Sequence, residues 1–224
     1  MNTHETVSTI RSSEAALATN KLIRNTYTLL SMTLLFSALT ASVSVFLNLG
    51  PMANLLSLGG ALLLIWFVLP RTANSAAGLG VVFGITGLLG LGLGPTLNYY
   101  LAMSNGPQLI GMAMGGTGVI FLTLSGYALT TRKNFSFMGG FLITGLVVAL
   151  VASLANIFFA IPALSLGISA VVIMVMSGFI LYDTSRMIHE PHGNYLMMTV
   201  SLYLNIFNIF VNLLHLLGAL SSDV

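Results

Sequence analysis

The sequence predicts an all-α polytopic membrane protein: seven transmembrane helices in one bundle, with the N-terminus in the cytoplasm and the C-terminus outside. Three observations carry that expectation. The chain is 56% hydrophobic and only 5% charged over 224 residues, with mean hydropathy +0.98, against roughly 25% charged residues in soluble domains. Its few charges leave apolar tracts over 25–70, 72–131, 134–182 and 191–222, which at about 20 residues per span hold seven helices, whereas a barrel would need short alternating strands. With seven spans, the N-terminal segment and the second, fourth and sixth loops share one side. That side carries Arg11, Lys21, Arg24, Arg71, Arg132, Lys133 and Arg186, all seven basic residues. Cytoplasmic loops hold the Lys/Arg excess, which assigns that side to the cytoplasm.

The elements follow in order. Residues 1–24 read as a polar cytosolic tail with no apolar run ahead of a cleavage site, so it is retained rather than removed as a signal peptide. Its Ser12 to Ala18 part suits a short surface helix, and the tail is either a plain leader or a handle for a partner or protease. The transmembrane domain covers 25–218. Span 1 is expected from Asn25 to Leu47, before the turn Asn48-Leu49-Gly50-Pro51, and span 2 from Met52 to Leu69, stopping at Pro70-Arg71. Span 3, Ala76 to Tyr100, aligns Gly80, Gly84, Gly87, Gly90 and Gly94 on one face, with Pro95 expected to kink or loosen its outer end. Span 4, Gln108 to Thr130, repeats the device with Gly111, Gly115 and Gly118. Small residues at this spacing let helices approach closely in lipid, so both spans are expected to be interior packing helices, with a permeation path beside the glycines as the alternative. Span 5 runs from Phe137 to Phe159 after the basic turn Arg132-Lys133-Asn134; span 6 starts at Pro162, suited to a first helical turn; span 7 covers Tyr195 to Leu217. Residues 219–224 form a short external tail.

Several chemistries are excluded or unsupported. No cysteine is present, which removes disulfides, thiolate catalysis and cysteine-ligated metals. The pI of 9.1 rests on few charges and does not point to nucleic acid. No phosphate-cradling G-x-x-x-x-G-K-[ST] loop occurs, and His189, Glu190 and His192 beside Pro191 do not form the helical pair that zinc hydrolases use, so neither metal nor cofactor is expected. Ser177 and His215 lie at different depths and do not make a nucleophile–base pair. No enzyme activity is expected.

The residue that stands out is Asp183, a carboxylate inside an apolar span, where insertion costs on the order of 3 kcal/mol and marks a functional candidate. On span 7, Ser201, Asn205, Asn208, Asn212 and His215 recur at spacings of 4, 3, 4 and 3 and share one narrow face. Asp183 and Asn205 are each 11 residues from Asn194 in the intervening turn, so an antiparallel hairpin sets both about 16 Å from it, at matching depth. The pair can therefore meet. Burial and a nearby cation, Arg71 or Arg186, would act on the carboxyl in opposite directions. Two readings stay open: a structural tie between helices, with Arg186 one turn on, or a proton- or ion-responsive latch. The span-7 stripe reads either as an interhelical hydrogen-bond seam or as a water path.

Taken together in order, Lys21-Leu22-Ile23-Arg24-Asn25-Thr26-Tyr27, Leu93-Gly94-Pro95-Thr96-Leu97-Asn98, Leu129 to Phe137, Ala155-Asn156-Ile157-Phe158, Leu181-Tyr182-Asp183-Thr184 and Ser201-Leu202-Tyr203-Leu204-Asn205 resemble the Bax inhibitor-1 family. The resemblance runs from Lys21 to the end, and lies with the bacterial branch that includes a modulator of the membrane protease FtsH. It implies a bundle with a central, short hydrophobic helix inside six others, in the bacterial cytoplasmic (inner) membrane, without enzyme activity. In the leading reading it also implies that the protein binds an FtsH-type protease complex in the bilayer and restrains its degradation of membrane proteins. The alternative it implies is a pH-sensitive calcium leak through a latch of two aspartates on spans 6 and 7, near a basic residue on span 2. Asp183 matches the first aspartate, Asn205 occupies the second position, and Arg71 matches the basic residue loosely.

Overall fold

The computed structural model describes residues 3–190 and 192–222, which form a bundle of seven long helices. Met1, Asn2, Pro191, Asp223 and Val224, with the parts of the two predicted tails they belong to, lie outside the described residues. Helix α1 is Thr3–Phe46, α2 Pro51–Thr72, α3 Ala77–Leu101, α4 Gly106–Thr131, α5 Gly139–Phe159 behind a 3₁₀ turn at Ser136–Met138, α6 Pro162–His189 and α7 Tyr195–Ser222. All seven are long and apolar enough to cross a membrane. The exterior carries large apolar side chains such as Leu35, Leu122 and Ile157, the surface that hydrocarbon rather than water would cover.

The first difference from expectation is α1, which does not break near Asn25. No proline or glycine occurs between Thr3 and Phe46, so nothing interrupts the helix, and its apolar span begins at Ala16. Leu22, placed in the tail by sequence, is buried in the core with Leu196 and Met198. At 44 residues the helix is about 66 Å long, roughly twice the hydrocarbon thickness.

Proline also fails to stop the second span. Helix α2 continues through Pro70 because a π-helical turn, Leu64–Val68, precedes it, and Leu69 N–H reaches back to the Leu64 carbonyl. This wider turn adjusts the ladder where proline has no N–H to donate. The next two side chains bond back to carbonyls of the π turn: Arg71 Nη1 donates to the Phe67 carbonyl and Thr72 Oγ1 to that of Val68, 2.9 Å away.

Pro95 is handled by a neighbour instead. Helix α3 runs unbroken to Leu101, and the Leu91 carbonyl, which an amide at position 95 would have bonded, accepts from Ser44 Oγ on α1 at 2.7 Å. Asn54 on α2 donates to the Gly92 carbonyl at 3.0 Å. This close approach is possible because α3 presents glycine to α1. A Cβ on Gly87 would meet the Phe36 ring, one on Gly90 would meet Ser37 and Thr40, and one on Gly94 would meet Ser44. Gly80 at the start of α3 and three glycines of α4 behave otherwise: around Gly80, Gly111, Gly115 and Gly118 there is open space, so the expectation that they pack in the interior is corrected. Spacing alone puts glycines on one face but does not say whether that face meets a helix.

Helix α7 occupies the middle, packed against α1, α3, α4 and α6, while α2 lies on α3 and α5 on α6. It packs against four of the other helices, not the six that the family resemblance implied, and with 28 residues it is not short. The α2–α3 and α6–α7 turns meet at the same end of the bundle, where Asn194 donates to the Ala73 carbonyl and to Asn74 Oδ1, both at 2.8 Å. The α4–α5 loop, residues 132–135, joins them there through Ser185. At the opposite end Asn98 meets Asn48, and Asn105 bonds Ser221.

Candidate functional site

A polar node is built where α1, α4, α6 and α7 meet near the basic end. Asp183 is on α6, six residues before its last residue, and is 3% exposed. Across the hairpin, Ser201 Oγ donates to Asp183 Oδ2 at 2.6 Å and Asn205 Nδ2 donates to the same oxygen at 2.8 Å. These donors are one turn apart on α7, the spacing that stacks side chains on one face and lets both converge on one acceptor. An ionised carboxylate, an acceptor only, suits both; a proton on Oδ2 would compete with them.

Beside this pair lies a second set of hydroxyls. Tyr27 on α1 shares hydrogen bonds with Ser125 on α4 and with Thr184 on α6, the latter at 3.3 Å. Thr184 is fully buried and follows Asp183 directly, so consecutive residues of α6 hold α7 on one side and α1 with α4 on the other. Thr199 Oγ1 donates to the Tyr195 carbonyl of its own helix at 2.7 Å and lies 3.3 Å from the Thr26 carbonyl of α1. In sequence, Tyr27, Ser125 and Thr184 stood out only as polar residues in apolar spans. Nothing there announced that three helices would bring them together.

The predicted site residues divide into groups. Asp183, Asn205 and Ser201 come together. Arg186 does not join them: it pairs with Glu190 one turn on, at 2.9 Å, and lies over the Tyr182 ring. Arg71 is engaged with its own helix at Phe67. Farther along α7, Asn208 Nδ2 donates to the Leu204 carbonyl and Asn212 Nδ2 to that of Asn208, each at 2.8 Å, so both are satisfied within the helix. His215 ties α7 to α6 near the other end, with Nδ1 2.9 Å from Ser169 Oγ and Nε2 3.4 Å from Ser165 Oγ. The stripe read as one feature is thus two interhelical ties separated by two residues bonded to their own backbone. Among the described residues, no group of three His, Asp or Glu converges as a metal would need.

The whole bundle around this node matches known proteins. A family model described as inhibitor of apoptosis-promoting Bax1 covers residues 19–222. The chain belongs to the Bax inhibitor-1 family. It is similar to the modulator of FtsH protease YccA of Escherichia coli K12, 48% identical over 217 residues that cover 97% of this chain and 98% of the relative. A membrane protein of Vibrio cholerae is 46% identical over 210 residues, 94% of each chain. A Pseudomonas aeruginosa protein is 43% identical over 202 residues, 90% of each. The Bax inhibitor-1 match begins at residue 19, ahead of the predicted domain start at Asn25 and three residues after the apolar span of α1 begins.

Proposed function

We propose that this protein is a non-enzymatic, multi-pass modulator of the bacterial inner membrane that binds an FtsH-type protease complex and restrains its degradation of membrane proteins. The observation that carries this reading is the near full-length identity to a relative named modulator of FtsH protease, itself also named an inner membrane protein in a second E. coli strain. The arrangement of the node supports a regulator over a catalyst. Asp183 is occupied by Ser201 and Asn205 and does not orient His215, which bonds Ser165 and Ser169 rather than Ser177, so the acid and the imidazole do not act on one serine.

In this reading the N-terminus and the end carrying the basic residues face the cytoplasm, which the distribution of Lys and Arg supports. The leading part of α1 then projects into the compartment where such a protease degrades its substrates, and the C-terminus lies outside. A calcium-leak reading has less to stand on at the node. Among the described residues one carboxylate is there, the second position presents an amide N–H to it, and calcium takes several oxygen ligands.

Co-purification tests the proposal. Native pull-down of the tagged full-length chain from inner membranes should recover the protease, and overproduction should slow turnover of a membrane substrate. Recovery of no protease, with unchanged turnover, overturns it.

A further inference from the structure

Helix α6 carries a second set of buried contacts on the side turned away from α7. Ser185, 1% exposed, accepts a hydrogen bond from Phe135 N–H at 3.0 Å and donates to the Lys133 carbonyl at 3.1 Å. One hydroxyl thus clasps the backbone of the α4–α5 loop on both sides of Asn134. The preceding turn reinforces the seat, because the Tyr182 ring lies against Gly139 at the start of α5, where a Cβ would stand 3.0 Å from the ring. The loop enters at Arg132, in the left-handed conformation with φ 51°, and exposes Arg132 and Lys133, for which no ion pair is found among the described residues.

Ser185 is two residues beyond Asp183, about 200° around a helix, so the two side chains point to nearly opposite sides. Asp183 faces the donors of α7 and Ser185 faces the loop. A rigid helix cannot move one without the other. A rotation of α6 by about 30° carries atoms at a side-chain radius of about 5 Å through about 2.6 Å, enough to break a hydrogen bond.

We propose that α6 is a lever in which Ser185 couples the Asp183–Ser201–Asn205 contact to the basic α4–α5 loop, so that the loop is clasped while the contact is made and released when α6 turns to break it. This coupling stands on the geometry of α6 alone and does not depend on which partner the protein serves. Asp183 and Ser185 act here as positioning residues. The loop is the exposed element whose presentation they set.

Limited trypsin digestion of the full-length protein in lipid nanodiscs reads the state of the loop, since Arg132 and Lys133 are cleavage sites, with cleavage at Arg71 as the internal reference. The clasp predicts at least a tenfold faster cut at 132/133 in Ser185→Ala, with Ser185→Thr restored to the native rate because the hydroxyl is kept. The lever predicts the same acceleration in Asp183→Leu, whose own loop contacts are unchanged. To separate release of the loop from unfolding of the bundle by Asp183→Leu, Ser201→Ala with Asn205→Ala serves as a second route, and a nitroxide pair on Lys133→Cys and Ser75→Cys reports the loop position in the chain, which has no native cysteine. Acceleration confined to 132/133, with a broadened label distance, supports the lever. A loop that stays protected and fixed in the α7-side variants while Ser185→Ala releases it overturns the coupling, as does a cut at Arg71 that rises equally.

Discussion

Asp183 and Asn205 are 22 positions apart in the chain and joined by a 2.8 Å hydrogen bond in which the amide is the donor. Two carboxyl groups facing each other at these positions would need a proton between them to bridge; an amide bridges a carboxylate without one. The contact that closes α6 onto α7 is therefore built into the neutral side chain of Asn205, with Ser201 as a second donor to the same oxygen.

Replacing Asp183 should show how much this closure stabilises. Asp183→Asn keeps an acceptor oxygen and is expected to lower the unfolding midpoint slightly, whereas Asp183→Leu strands two donors. Polar pairs inside membranes contribute modestly, so the double-mutant coupling between Asp183 and Asn205 is expected to be about 0.5–2 kcal/mol. Thermal unfolding in detergent of the two single variants and the double variant measures it; additive effects would mean the contact contributes nothing.

The Ser44–Leu91 bond makes a sharper prediction. Ser44→Ala leaves the Leu91 carbonyl of α3 unpaired in the interior and should destabilise by about 1 kcal/mol or somewhat more. In a Pro95→Ala background the amide at position 95 bonds that carbonyl itself, and Ser44→Ala should then have little effect. Unfolding of the four proteins in that cycle decides whether Ser44 serves the proline.

Glycines on α3 and α4 should respond oppositely to alanine. Gly94→Ala forces a methyl group into Ser44 and Gly90→Ala into Ser37 and Thr40, so each should separate α1 from α3 and destabilise by about 1–3 kcal/mol. Gly111→Ala and Gly115→Ala meet open space and improve helix propensity, which predicts a neutral change or a gain of up to about 1 kcal/mol. Equal losses at both sets would show that the α4 glycines are in contact after all.

Orientation is tested through engineered cysteines. A membrane-impermeant maleimide added to intact spheroplasts should label Ser104→Cys, in the α3–α4 turn, and leave Lys133→Cys unlabelled until the membrane is opened. The reverse pattern would place the basic end outside and remove the topological support for a cytosolic protease partner.

Much of the architecture was legible before any coordinates. Seven spans follow from where charges are absent, and most helix ends fall within two residues of the expected ones because the turns carry Gly, Pro, Asn and the basic residues. The Asp183–Asn205 contact followed from counting residues on both sides of Asn194, since an antiparallel hairpin converts equal counts into equal depth. What was not legible needed a neighbour. Pro70 was read as a stop because a proline in sequence shows only its missing N–H, while the π turn that carries the helix through it appears only in the folded backbone.

The sequence by itself determined that this chain lives in a membrane, how many times its helices can cross it, which family it belongs to, and which acid would be expensive to bury. These are one-dimensional properties: hydropathy, charge spacing and motif order survive without a fold. Only the tertiary structure decided who answers the acid and the prolines. It gave Asp183 to Ser201 and Asn205 rather than to Arg186, gave Arg186 to Glu190, brought Ser44 to the carbonyl beneath Pro95, and set Gly87, Gly90 and Gly94 of α3 against α1 while leaving Gly111, Gly115 and Gly118 of α4 open. The physical reason is that a helix face is defined by spacing but its environment by whichever other helix packs there, and in a bundle whose spans are all apolar, composition does not distinguish a face that meets protein from one that meets lipid.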